Sequence, residues 1–514
     1  MYPGPYAAET PDKIAAAMTG SGETLTYGEL ERRSVQLAHV LHDLGLRPGD
    51  GVALLTENSL RAFEVIWAAL RSGLYITAVN DRLKPDEVAY IVNDSGAAVL
   101  IVSAEQAATA TAITGVNPTT PAVKLRLAFG GPVAGYGSYE DTIASASDVP
   151  FADQPRGSAM LYSSGTTGRP KGVRPPLRGV QVSEPGEALV TLAELFFGFN
   201  RDTVYLSPGP IYHAAPLAFS GAVQALGGTV VMMNRFEAEQ ALAALQDHHV
   251  THAQFVPTMF VRMLKLPQAV RHRYDISSLR VAIHAAAPCP VEVKQKMIDW
   301  WGPILVEYYA GTEANGMTAI DTATWLTKPG TVGRPVLGTV RICADDGTEL
   351  PAGQIGGVYF ERDIMPFAYY NDPDKTRASQ HPEHPTWTTL GDIGYLDGDG
   401  FLFLTDRKAF TIISGGVNIY PQEIENVLAL HPAVYDVAVI GVPDPEMGES
   451  VVAFIQPAPG AAPGPELEQE IIAFVKSKIA SFKAPRAVRF VDELPRSEAG
   501  KLKKSELRAK YVNA

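Results

Sequence analysis

The feature that most constrains how this chain can fold is a rhythm. Helical patterns alternate with short apolar runs, and turn residues separate them. From Leu37, LAHVLHDLGL reads as helix, while GVALLT and AAVLIVS read as strands. The same alternation returns at TVVMM, QALAALQDHHVTHAQFV and LRVAIHAAA. Strands joined by helices pair side by side through crossovers, so the rhythm predicts βαβ units and mostly parallel sheets. An α/β fold with a large layered amino-terminal body is expected over residues 1–406. Single hydrophobic cores stop growing near roughly 250 to 300 residues, so 514 residues imply at least two domains.

The last hundred residues change character. PQEIENVLALH reads as a helix opened by Pro421, YDVAVIGVP and ESVVAFIQP as strands, and PELEQEIIAFVKSKIASF as an amphipathic helix. This predicts a small α+β domain over residues 410–514, with PAPGAAPGP near Pro457 as a surface loop inside it. The stretch from Thr203 to Asn234 has no Asp, Glu, Lys or Arg, but Pro208, Pro210, His213, Pro216 and Gln224 interrupt it. It reads as buried loop, helix and strand, with no integral membrane span.

Composition excludes several classes. At 46% hydrophobic and 19% charged residues the chain is an ordinary globular sequence. Asp and Glu number 56 against 43 Lys and Arg, and a net charge of -13 repels a nucleic-acid backbone, so no nucleic-acid partner is expected. The only cysteines, Cys289 and Cys343, are too few for a disulfide framework or a zinc cluster and read as reduced thiols. The opening MYPGPYAAETPDKIAAAM has no basic segment followed by an apolar run, so a cytoplasmic location is expected. There is no HExxH or GxSxG pattern, and HPEHP from His381 reads as a proline-stiffened surface loop.

The segment richest in chemistry is LYSSGTTGRPKG, Leu161 to Gly172. It places three glycines, the hydroxyls of Ser163, Ser164, Thr166 and Thr167, and Lys171 directly after an apolar, strand-like approach. Gly165 and Gly168 let backbone approach a ligand closely, N–H groups and hydroxyls donate hydrogen bonds, and the ammonium offsets phosphate charge. The spacing excludes an ordinary Walker loop, GxxxxGK[ST]. Composition alone leaves a flexible Ser/Gly/Thr connector equally open.

The order of residues in SSGTTGRPKG resembles the signature loop of the adenylate-forming superfamily, which includes acyl-CoA synthetases. The resemblance continues, in order, through YYAGTE from Tyr308, GTVGRPVLG from Gly330, GDIGYLDGDGFL from Gly391, TDRKAFTIISGGVNIYPQEIE from Thr405 and PRSEAGKLKK from Pro495. LTYGELERRSVQLAHVL and LKPDEVAYIVNDSGAAVLI are similar to that superfamily's amino-terminal part. The resemblance implies a small β-barrel-like part within the body and a mobile carboxy-terminal domain.

It also implies roles. Ser163 through Gly168 and Lys171 would hold phosphates; Ala286 and Ala287 would belong to the nucleotide site, and Tyr309 would pack on adenine. Thr312 would bond the α-phosphate, Glu313 would help hold Mg²⁺, Asp392 would accept from the ribose hydroxyls, and Arg407 would reach ribose or phosphate. Lys501 would neutralise charge as a carboxylate attacks the α-phosphate of ATP. Residues 407–409 would be the hinge, after which Ser414, Gly415 and Gly416 would line a tunnel for coenzyme A, with Lys483 and Arg486 on its phosphates. His213, as a gate or carboxylate contact, and Ala214, Phe219, Val256, Ala285 and Gly311 would surround the acid. Those mostly small or apolar walls favour a hydrophobic carboxylic acid, fatty or aromatic.

The implied reaction is formation of an acyl adenylate and transfer to coenzyme A; an amide ligase using an amine acceptor is the main alternative. A non-catalytic nucleotide sensor is the alternative from another class, and a homodimer is also admitted. The sequence departs from the superfamily at Ala409, usually Asp or Lys, and at Leu390, usually Thr.

Overall fold

The computed structural model describes residues 1–114, 119–163, 170–407, 410–414, 417–496 and 502–512. Packing divides the chain into two compact units. The first comprises Met1–Gln254, His272–Ala282 and Pro366–Thr376; the second comprises Phe255–Arg271, Ile283–Met365 and Arg377–Ala514.

The first unit contains a sheet whose strand order is Gly137–Ser138, Leu125–Phe129, Ala97–Ser103, Gly51–Leu55, Tyr75–Val79 and Ser158–Ala159. Every pair in it is parallel. Gly51–Leu55 and Tyr75–Val79 are buried at all five positions, which is why they read as unbroken apolar runs rather than alternating ones. Helices of this unit start where the chemistry directs: Thr26 and Glu29 form a reciprocal capping box at Tyr27–Asp43, and Pro85 opens Pro85–Asp94. Charge is also buried in this interior. Glu64, with no exposed side-chain surface, forms an ion pair with Arg33 at 2.8 Å and accepts from Arg61 at 2.9 Å and the Tyr139 hydroxyl at 2.9 Å. Two cations and a hydroxyl supply the compensation a buried carboxylate needs.

A further set of strands in this unit pairs Val204–Ser207 with His252–Phe255 and with Thr229–Met232. Thr229–Met232 pairs in turn with Ile14–Met18, in parallel register Ala16 to Val230, and Thr24–Thr26 lies antiparallel on the far side. The uncharged stretch from Thr203 thus resolves into strand Val204–Ser207, helix Ala214–Ala225 and strand Thr229–Met232. No helix among the described residues is long and apolar enough to cross a membrane.

In the second unit, Leu305–Ala310, Met317–Asp321 and Arg334–Leu337 run antiparallel. Thr339–Cys343, Gly356–Glu361, Trp387–Leu396 and Leu402–Arg407 form a four-stranded antiparallel sheet over Val340, Ile342, Val358, Phe360 and Leu402. The register shifts between Gly357 and Tyr359 and between Ile393 and Gly394. The HPEHP segment is a turn at its edge: His381 Nε2 lies 2.7 Å from the Gly347 carbonyl, and Nδ1 accepts from the Glu383 and His384 amides.

The carboxy-terminal strands Val417–Ile419, Ile412–Ser414, Gly448–Pro457 and Val434–Asp444 follow one another antiparallel, and Ala487–Phe490 joins Gly448–Pro457 in parallel. Helices Pro421–Leu428 and Pro465–Lys478 cover one face through Ile424, Leu428, Ile471 and Val475. Leu494 and Leu507 pack on the other. This is the α+β fold expected there. Within the second unit Lys265 Nζ donates to the Val434 and Tyr435 carbonyls, both at 2.9 Å, and the Gln422 backbone amide donates to the Asp406 carboxylate.

Candidate active site

Leu161–Ser163 and Lys171–Arg174 pair antiparallel, with Ser163 opposite Lys171 and Gly172 opposite Tyr162. Ser164, Gly165, Thr166, Thr167 and Gly168 lie outside the described residues, as does the Ser163 side chain. Lys171 is described: its ammonium donates to Asp372 at 2.6 Å. Asp372 also accepts from the Lys375 amide at 2.9 Å, and the Lys171 bond, with that amide, holds its carboxyl below the usual carboxylate range. The sequence reading did not single out Asp372; its place before Pro373, at the head of the short helix Pro373–Ala378, signalled a turn.

In the second unit, strand Leu305–Ala310 delivers Tyr309, and strand Trp387–Leu396 delivers Asp392. The Tyr309 hydroxyl donates to Asp392 Oδ2 at 2.6 Å, and the ring lies 6.0 Å from Phe360. Asp392 is 7% exposed. The residues read as adenine wall and ribose acceptor are thus joined directly. Gly311 follows the strand. A Cβ placed there would lie 2.1 Å from Leu390 Cδ1 and 3.1 Å from Glu313 Oε2, so the missing side chain is what lets Leu390 rest on this backbone. Thr312 and Glu313 are half-buried beside it.

Strand Val281–His284 ends at Ala285, which is buried, and Ala286, which is exposed. Ala286 has φ +76°, in the left-handed region that costs a residue bearing a Cβ roughly 1 to 2 kcal/mol. Among the described residues, four non-glycines have positive φ, and Ala286, Ala314 and Asn371 adjoin candidate site residues. Conformational strain therefore gathers where ligands are expected.

The expected acid-pocket residues divide between the units: His213, Ala214 and Phe219 belong to the first, Val256, Ala285 and Gly311 to the second. His213 caps the helix Ala214–Ala225, its ring 4.4 Å from that of Tyr212. Phe219, 2% exposed, is enclosed by Phe197, Phe199 and Tyr205. Val256 precedes the helix Pro257–Leu264, and Ala287 follows the left-handed turn.

On the carboxy-terminal fold an open groove of about 570 Å³ is lined by Ser414, Val417, Met447, Lys476, Phe482 and Arg486, among others. Lys483 is engaged elsewhere: it donates to both Glu423 carboxylate oxygens, at 2.6 and 2.8 Å. Gly415, Gly416, Lys501 and the hinge residues 408–409 lie outside the described residues, as does the Arg407 side chain. The flanks of Lys501 are fixed. Arg496 pairs with Asp436 at 2.5 Å, Arg496 and Leu502 form a β-bridge, and Lys504 meets Glu425 at 2.9 Å.

Similarity to known proteins places the chain among the adenylate-forming enzymes. The chain belongs to the AMP-binding enzyme family, whose profile matches residues 5–370; the profile of the AMP-binding enzyme C-terminal domain matches residues 423–501. It is 33% identical over 510 residues to a feruloyl-CoA synthase of Amycolatopsis sp, covering 97% of this chain and 96% of that one. Two solved structures are similar in fold. The anthranilate CoA ligase AuaEII in complex with anthranoyl-AMP gives a TM-score of 0.83 at 26% identity, covering 97% of this chain and 94% of the other. The amide bond synthetase McbA from Marinactinospora thermotolerans gives 0.80 at 28% identity, with 98% of each chain covered.

Proposed function

We propose that this enzyme uses ATP to activate a hydrophobic carboxylic acid, fatty or aromatic, as an acyl adenylate and then transfers the acyl group to coenzyme A. The observation that carries the reading is the Tyr309 hydroxyl bonded to Asp392 at 2.6 Å. It unites two motif segments 83 residues apart into one fixed pair, an aromatic ring beside a carboxylate that suits adenine beside ribose.

In this reading the protein supplies positioning and charge rather than covalent chemistry. The substrate carboxylate attacks the α-phosphorus and pyrophosphate leaves. Thr312 bonds an α-phosphate oxygen, Lys171 leaves Asp372 for the leaving phosphates, and Lys501 offsets the charge that develops at phosphorus. Glu313 fits Mg²⁺, since that ion is held by one or two carboxylates plus substrate phosphates rather than by a cage of side chains. When bound, Mg²⁺ supplies positive charge to the phosphates. The groove bearing Lys476, Phe482 and Arg486 offers two cations and an exposed ring to the nucleotide end of coenzyme A.

The likeness to McbA favours one second reading, an amine as acceptor in place of the thiol. One experiment tests both. Fatty and aromatic acids are offered with ATP and Mg²⁺, and pyrophosphate release is scored with coenzyme A, with amines and with neither. Thiol-dependent release supports the first reading and amine-dependent release the second; no AMP-linked product from any acid refutes both. Lys501→Ala is expected to lower pyrophosphate exchange by about 10²-fold, as removal of one transition-state donor does elsewhere.

A further inference from the structure

Behind the Ala286 turn lies a set of buried ionisable groups to which the proposed chemistry gives no part. Glu307, on strand Leu305–Ala310, accepts from Lys294 Nζ at 2.6 Å; the lysine side chain has no exposed surface and the glutamate side chain 7%. The same ammonium lies 4.6 Å from the centroid of the Trp325 ring. His284 Nε2 approaches the same Glu307 oxygen to 3.8 Å, beyond hydrogen-bond length. Fully buried, His284 has a hydrogen-bond partner at neither nitrogen among the described residues and packs edge-on against Phe260. Burial and the Lys294 charge hold its imidazole neutral.

These residues sit at particular points in the chain. His284 ends the strand before the loop Ala285–Pro290, and Lys294 lies in the first turn of the helix Val291–Trp301 that follows it. Both ends of the loop are therefore brought to one carboxylate, and Ala286 lies between them. Glu307 stands two residues before Tyr309 on the same strand, so the carboxylate also fixes the segment that carries Tyr309. A buried ion pair of this kind adds little net stability compared with apolar residues of the same shape. The strained turn between its anchors gives the pair another use.

We propose that Glu307 and Lys294 are positioning residues whose buried pair holds the Ala285–Pro290 loop with Ala286 in its left-handed conformation, ready to receive the nucleotide. The proposal rests on the adenylation reading for the identity of that nucleotide. Glycine adopts positive φ without penalty, so relief of strain should replace the clamp. AMP affinity is the readout, followed by calorimetry in the full chain, with thermal unfolding in parallel.

Lys294→Met combined with Glu307→Leu should weaken AMP binding by about 10-fold while the protein stays folded, and adding Ala286→Gly should recover most of that loss. Should the paired replacement not fold, Glu307→Gln keeps the shape and an acceptor for Lys294, and a loss of about 5-fold restored by Ala286→Gly carries the same meaning. Unchanged AMP affinity in the folded variants, or a loss that Ala286→Gly does not restore, overturns the proposal. A natural chain that binds AMP but activates no acid fails the adenylation reading while leaving the clamp standing, whereas one that binds no AMP overturns both.

Discussion

Replacing Tyr309 by Phe isolates the hydrogen bond on which the functional reading depends. The ring and its packing against Phe360 are retained, and only the hydroxyl donating to Asp392 at 2.6 Å is removed. A hydrogen bond to a charged group contributes about 1.5 to 3 kcal/mol net. Asp392 stays 7% exposed and recovers part of this from water, leaving about 1 to 2 kcal/mol. The bond exists before AMP arrives, so only the part that aims Asp392 enters binding; at 1.4 kcal/mol per factor of ten, AMP should bind at most roughly 5- to 30-fold more weakly. If the hydroxyl acts by aiming the carboxylate at the ribose diol, 2′-deoxy-AMP, which offers one hydroxyl fewer, should lose less on the same substitution. Calorimetric titration of both nucleotides against both proteins decides the matter. Equal losses for the two nucleotides, or no loss for AMP, would refute the reasoning.

Two further outcomes follow from the geometry. Gly311→Ala should cost about 1 to 3 kcal/mol of stability by overpacking, because its Cβ would lie 2.1 Å from Leu390 Cδ1. Leu390→Ala in the same chain should restore most of the lost melting temperature, and an additive double variant would argue against that contact. Burial lowers the imidazole of His252 to a pKa of about 4, so the native state resists a proton that the unfolded chain accepts below about 6.5. Its contribution to stability is intact at pH 7 and above, declines as pH falls through 6.5, and has been lost, by about 3 kcal/mol, near pH 4. The fall in melting temperature between pH 7 and 4.5 should be shallower in His252→Gln than in the natural chain; parallel curves would refute this.

The layered α/β plan was legible because strands buried on both faces, such as Gly51–Leu55, must be apolar throughout, and because caps such as Thr26 and Glu29 mark helix starts locally. The ordered motifs, too, carried the family. Partnerships formed across the fold were not legible. Asp372 is 201 residues from Lys171 and reads as an ordinary turn acid. Within its strand Glu307 looks like an outward-facing charge, and Lys294 like one on a solvated helix face; only packing puts both inside. Ala286 gave no sign of positive φ, since the usual sign is glycine. The bonds from Lys265 to the Val434 and Tyr435 carbonyls were equally hidden, because backbone acceptors have no side-chain signature.

The parallel register of Ala16 with Val230 sets a schedule for the nascent protein. Strand Ile14–Met18 leaves the ribosome about 210 residues before its neighbour, which at about 5 to 20 residues per second is a wait of about 10 to 40 s. Until then Thr24–Thr26 covers one edge of that strand, and its other edge stays open to any passing extended chain.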